Sequence, residues 1–147
     1  MAEVRVSVLG EAPVVVLRER VGDRLLPVWM SSGGAAAIVS ATEEPDDERP
    51  DLHDLVSGML ATAGAALTEV QITAYDEGQY FAELHVGEYV LAARPSDAIA
   101  LALRAECPIL CADEVLDAAA VLPHPQEEVE RFREFLDTVV PDDFSPS

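Results

Sequence analysis

The side chains able to do chemistry are few and fall in short clusters. His53 and Asp54 stand side by side, Glu83 and His85 alternate along an apolar run, Arg94 and Asp97 flank Pro95-Ser96, and Asp113-Glu114 come later. Carboxylates and imidazoles are what a hard or borderline divalent cation takes as ligands. Water on such a cation would attack a phosphodiester, with an Arg meeting the charge that develops. Each group also has a plainer role. Asp97 suits the first turn of a helix or a pairing with Arg94, and His53 and Asp54 suit a first turn as ordinary polar residues. Glu83 and His85 suit the wet face of a half-buried sheet. Arg94 beside a proline suits a structural role on backbone carbonyls. Trp29, Tyr80 and Phe81 read as core before they read as a platform for stacked bases. Neither a phosphate-cradling glycine fingerprint nor a nucleophile elbow is present.

The elements that must hold these residues follow from periodicity. Val4, Val6 and Val8 alternate with polar residues as a half-buried strand does, and Val14 to Leu17 is a short apolar run. Leu25 to Trp29 reads as a third strand, which Pro27 confines to a sheet edge or a bulge. Ser31-Ser32-Gly33-Gly34 opens an Ala-rich helical segment from Ala35 to Ala41, serine being a good N-cap. Glu43 to Glu48 is an acidic connector broken by Pro45. Leu52, Leu55, Val56, Met59, Leu60 and Ala63 share one face of a second helix, opened by Asp51 and stopped at Gly64. Val70–Tyr75, Tyr80–Val86 and Tyr89–Ala93 form an antiparallel meander around Asp76-Glu77-Gly78-Gln79. Pro95 or Ser96 opens a helix that is apolar nearly all round and therefore central. A short buried strand at Pro108–Leu110, a helix capped by Asp113, and a last amphipathic helix after Pro125 complete the chain. The fold class expected is α+β: a mixed, largely antiparallel sheet packed with several helices as a single domain, residues 1–122, followed by a C-terminal helix and acidic tail, 123–147.

Composition narrows the function. The 147 residues carry 28 Asp and Glu against nine basic residues, all Arg, for a net charge of −19. That field repels polyanions, and no cluster of basic residues offers a phosphate track. Half of the residues are hydrophobic, which excludes a disordered chain. No apolar run is long enough to span a membrane, and the N-terminus lacks the pattern of a secretion signal, so a cytoplasmic protein is expected. Cys107 and Cys111 on one strand would lie ~13 Å apart, too far for a disulfide, and read as free thiols.

Four segments together resemble one family. They are Leu26-Pro27-Val28-Trp29-Met30 with the Ala-rich sequel, Arg49-Pro50-Asp51-Leu52-His53-Asp54-Leu55, Gly78-Gln79-Tyr80-Phe81-Ala82-Glu83-Leu84, and Arg94-Pro95-Ser96-Asp97-Ala98-Ile99-Ala100-Leu101-Ala102-Leu103-Arg104. The chain is similar to bifunctional nuclease domains of bacteria and plants over roughly Val4 to Leu122, and its C-terminal segment resembles that of actinobacterial members. The resemblance implies DNase and RNase activity in an α+β domain that forms homodimers or larger homo-oligomers. It places the motif's polar residues at His53, Asp54, Glu83, Arg94, Ser96 and Asp97. Two positions depart from the family pattern: Ser31 stands where a Gly is usual, and Gly34 where a Glu is usual. Asp51-Leu52 also replaces the usual Leu-Thr before the His-Asp pair.

The expectation is therefore metal-assisted phosphodiester hydrolysis, weakened if the missing Glu matters. His53, Asp54, Arg94 and Asp97 are the catalytic candidates. Asp54, Asp97 and Glu83 are the ligands of an Mg²⁺- or Mn²⁺-like ion, and short or single-stranded nucleic acid is the substrate. The competing expectation is a non-catalytic homo-oligomeric interaction or regulatory protein with an acidic surface. A small-molecule pocket protein ranks third.

Overall fold

A strand that comes late in the chain sits in the middle of the sheet. In the computed structural model, which describes residues 1–8, 13–44 and 48–122, seven strands and four helices follow in the order β1 (Ala2–Val8), β2 (Val14–Glu19), β3 (Leu25–Trp29), α1 (Ser32–Ala41), α2 (Leu52–Thr62), β4 (Leu67–Asp76), β5 (Gln79–Val86), β6 (Tyr89–Ala93), α3 (Pro95–Ala105), β7 (Ile109–Cys111) and α4 (Asp113–Ala119). The sheet order is β3-β2-β1-β7-β4-β5-β6. All neighbours are antiparallel except β4 and β7, which run parallel. The expected α+β class and mixed sheet are present. The C-terminal helix and tail expected over 123–147 lie outside the described residues.

Local rules explain most of the framework. Pro27 lacks the N–H a central strand needs, and β3 is an edge strand. The two-residue turn between β4 and β5 has positive φ at both Glu77 (49°) and Gly78 (85°), the backbone a tight hairpin requires. Pro95 occupies the first turn of α3, where its missing N–H costs nothing. Ser31 caps α1 by accepting from the Gly34 amide at 3.1 Å. At α4 the expectation fails: Ala112 is the N-cap and no side chain caps the helix. Asp113 is instead its first residue, 3.7 Å from the N-terminal ammonium.

α3 is the hub. Ala98 to Ala102 are buried against β4 and β5, while α1 and α2 pack on its other sides. Leu17, Leu26, Ile38, Ile72, Ile99 and Leu116 are fully buried, each contributing about 1.5–3 kcal/mol of burial. Both cysteines are free. Burial pushes the Cys111 thiol up to about 12.

The second helix forms where its pattern places it, but its apolar face is not a core face. No residue of α2 is buried; Val56 and Leu60 touch the core, whereas Leu52, Leu55 and Met59 are exposed. α2 rests mainly on α3, and the polar residues of its first turn tie it there.

Candidate functional site

Asp51 sets the geometry of the site before any reactive group is considered. Its carboxylate accepts from the Asp54 amide at 2.8 Å, and the Asp54 carboxylate accepts from the Asp51 amide at 3.3 Å, a closed capping box. That fixes how α2 begins. Successive helical residues point about 100° apart, so His53 and Asp54 reach different neighbours. Both neighbours are on α3. Asp97 and Arg104 stand about two turns apart on one stripe of that helix, and the start of α2 lies across the stripe.

His53 meets Asp97. The imidazole Nε2 lies 2.8 Å from Asp97 Oδ1. The other carboxylate oxygen, Oδ2, accepts from Arg94 Nε at 2.8 Å. One carboxylate thus serves an imidazole and a guanidinium. Partial burial opposes ionisation of Asp97, but the Arg94 and His53 hydrogen bonds and charges together outweigh it and hold the carboxyl below its ordinary value. With Nε2–H donating to Asp97, Nδ1 of His53 carries the free lone pair. The His53 and Asp97 side chains are 18% and 27% exposed, open enough for a ligand to reach. Arg94 is 75% exposed, and its partner among the described hydrogen bonds is Asp97 rather than a backbone carbonyl.

Asp54 goes elsewhere. Its Oδ1 accepts from Arg104 Nε at 2.6 Å, and Asp51 Oδ2 accepts from Arg104 Nη2 at 2.8 Å. Arg104 Nη1 donates to the carbonyls of Ala100 and Ala37, at 2.9 and 3.3 Å, and Ser40 Oγ donates to Asp51. Only 6% of the Arg104 side chain is exposed. This residue, which sequence reasoning passed over, joins α1, α2 and α3. The available signal was a basic residue closing the apolar run from Ala98 to Leu103.

The remaining candidates are dispersed. Glu83 and His85 project from β5, 3.6 Å apart, and the His85 Nε2 is buried without a hydrogen-bond partner. Ser96 is buried at the start of α3. Glu114 is exposed on α4. The ligand set named from sequence, Asp54, Asp97 and Glu83, does not fit a resident cation as placed. Asp54 is committed to Arg104, and Asp97 has both oxygens engaged. Among the described residues no group of three or more His, Cys, Asp or Glu side chains is arranged to hold a metal ion.

The sequence profile of the bifunctional nuclease domain matches residues 15–124. The chain belongs to the bifunctional nuclease domain family. It is also similar to uncharacterized proteins of two Mycobacterium tuberculosis strains, CDC 1551 / Oshkosh and ATCC 25618 / H37Rv. Each is 39% identical over 153 residues, covering 96% of this chain and 93% of the relative. The departure at Gly34 has a physical counterpart in this bifunctional nuclease domain. A Cβ at that position would lie 2.8 Å from Ser96 Cβ and 3.3 Å from Ser31 Oγ. α1 therefore approaches α3 more closely than any side chain at residue 34 would permit.

Proposed function

We propose that this domain hydrolyses phosphodiester bonds of nucleic acid through His53, Asp97 and Arg94. The observation that supports the reading is the shared carboxylate, which orients an imidazole toward one side and a guanidinium toward the other. His53 Nδ1 takes the proton of a water, or of a ribose hydroxyl, as that oxygen bonds to phosphorus. The bond from phosphorus to the leaving oxygen breaks, and the proton returns to that oxygen. Asp97 holds the ring and stabilises the imidazolium. Arg94, with its Nη groups turned to solvent, meets the phosphate. The net charge of −19 favours short or single-stranded substrates over a long duplex.

The test is hydrolysis of single-stranded and duplex nucleic acid with Mg²⁺, Mn²⁺ or EDTA, beside His53→Ala and Asp97→Asn. Loss of a general base costs about 10²–10⁴-fold in rate, so both folded variants should fall by that much. Activity unchanged in both would remove the proposal. Activity lost in EDTA would return the chemistry to a metal held by rearranged carboxylates.

A second reading, compatible with the first, is self-association. Edge strand β6 exposes Tyr89, Val90 and Leu91, at 67%, 53% and 52%, with no charge among them. An uncharged edge strand is self-complementary: a second copy would pair with it antiparallel about a two-fold axis. A single-chain mass by light scattering would rule this out.

A further inference from the structure

We propose that the groove between the end of β3 and the β4–β5 hairpin is a slot for one nucleobase of a single strand, whose adjoining phosphate lies on Arg94. The inference rests on the hydrolytic reading above and names how that site holds its substrate. The groove has a volume of about 590 Å³, within the size range of small-molecule sites. Trp29, Tyr80 and Phe81 line it, together with Gln79, Ser31 and Arg94.

Its origin lies in the two ends of the meander and the N-terminal strands. Tyr80 is committed to the framework. Its hydroxyl donates to the Pro27 carbonyl at 3.1 Å, joining β5 to edge strand β3, and its ring lies 4.7 Å from that of Tyr75. Phe81, the next residue on the strand and so directed to the opposite face from Tyr80, is 48% exposed, a large apolar ring left in contact with water where β5 borders the groove. Base stacking on such a ring is worth about 1–3 kcal/mol and tolerates any base, because every base has a π-face.

Charge argues for the same occupant. In a chain with 28 acidic residues, none of the described residues lining this groove is Asp or Glu, and one is an Arg. The groove repels an anion less than the rest of the surface does. Arg94 also donates to Asp97, so a phosphate that follows the stacked base arrives beside the His53–Asp97 pair. A duplex does not fit this scheme without first giving up a base from its stack, at a cost of a few kcal/mol.

Trp29 is the sole tryptophan, so its fluorescence reports the groove directly. The protein is titrated with a short deoxyadenosine strand and with an abasic strand carrying the same phosphates. Phe81→Ala and Phe81→Leu are titrated alongside, the second keeping an apolar strand residue without a ring face; Phe81→Tyr serves as rescue. The expected result is saturable quenching by the base-bearing strand, weakened about tenfold by loss of the base or of the Phe81 ring, and restored by Tyr. Equal quenching by the abasic strand, or full affinity in folded Phe81→Leu, would overturn the slot. The two readings fail separately. Hydrolysis without base-dependent quenching leaves the catalytic proposal standing and removes the slot, whereas base-dependent quenching without hydrolysis keeps the slot and removes the catalytic proposal.

Discussion

Replacing Arg104 by Met should loosen the start of α2 without dissolving the core. The change keeps an apolar stem inside the helix junction and deletes two charge-assisted hydrogen bonds and two bonds to carbonyls. Breaking a fully buried ion pair costs about 3–5 kcal/mol, whereas exposed pairs are worth about 0–1 kcal/mol. Here the guanidinium is buried, but its acids are partly wet: Asp51 is 37% and Asp54 27% exposed. Both can rehydrate once the cation is gone, so a loss of about 2–3 kcal/mol is expected, between those limits. For a chain of this size that lowers Tm by about 5–10 °C. Urea melts of Arg104→Met, Asp54→Asn and the double variant measure the coupling, and hydrogen exchange of the amides around His53 locates it. A loss below about 0.5 kcal/mol, the level of an ordinary surface change, would refute the clamp. So would unchanged exchange at the start of α2.

Two other perturbations follow from the same geometry. Gly34→Ala gains about 1 kcal/mol of helix propensity, but the new methyl must displace Ser96 from 2.8 Å, and overpacking costs about 1–3 kcal/mol. A net loss of up to about 2 kcal/mol in denaturant melts is expected; a more stable variant would show that α1 and α3 separate freely. The folded Asp97 carboxyl lies below its ordinary value of 3.8. Its ion pairs therefore stabilise the protein above that value and are lost as pH falls through the lowered one. The stability gap between wild type and Asp97→Asn should be present at about pH 5 and shrink progressively as pH falls below about 4; a gap that does not shrink with further acidification would contradict the pairing.

Much of the framework was legible because short-range rules decide it. Asp51, Pro27, Pro95 and the Glu77-Gly78 turn act through their own backbone, and each does in the structure what its type and position require. The meeting of His53 with Asp97 rests on how α2 crosses α3, which no local pattern encodes; there the family resemblance did more than periodicity. The α2 face shows the opposite error. A run of Leu and Met at helical spacing predicts burial, yet Leu52, Leu55 and Met59 stay in contact with water, because only Val56 and Leu60 of that face reach the core while polar ties hold the start of the helix. Arg104 was overlooked for a related reason: its value lies in partners about fifty residues away in the chain. Glu83 and Asp54 looked equivalent to Asp97 as carboxylates, and only three-dimensional placement separates them.

The three residues of β7 have a consequence for how the chain assembles. They join a block made of the first three strands to a block made of the meander, pairing with β1 on one side and β4 on the other. Until residue 111 has left the ribosome, those blocks have no backbone link across that seam. Synthesis must then end its largest structural step with its smallest strand. A chain cut just before Ile109 would expose two raw sheet margins and invite aggregation.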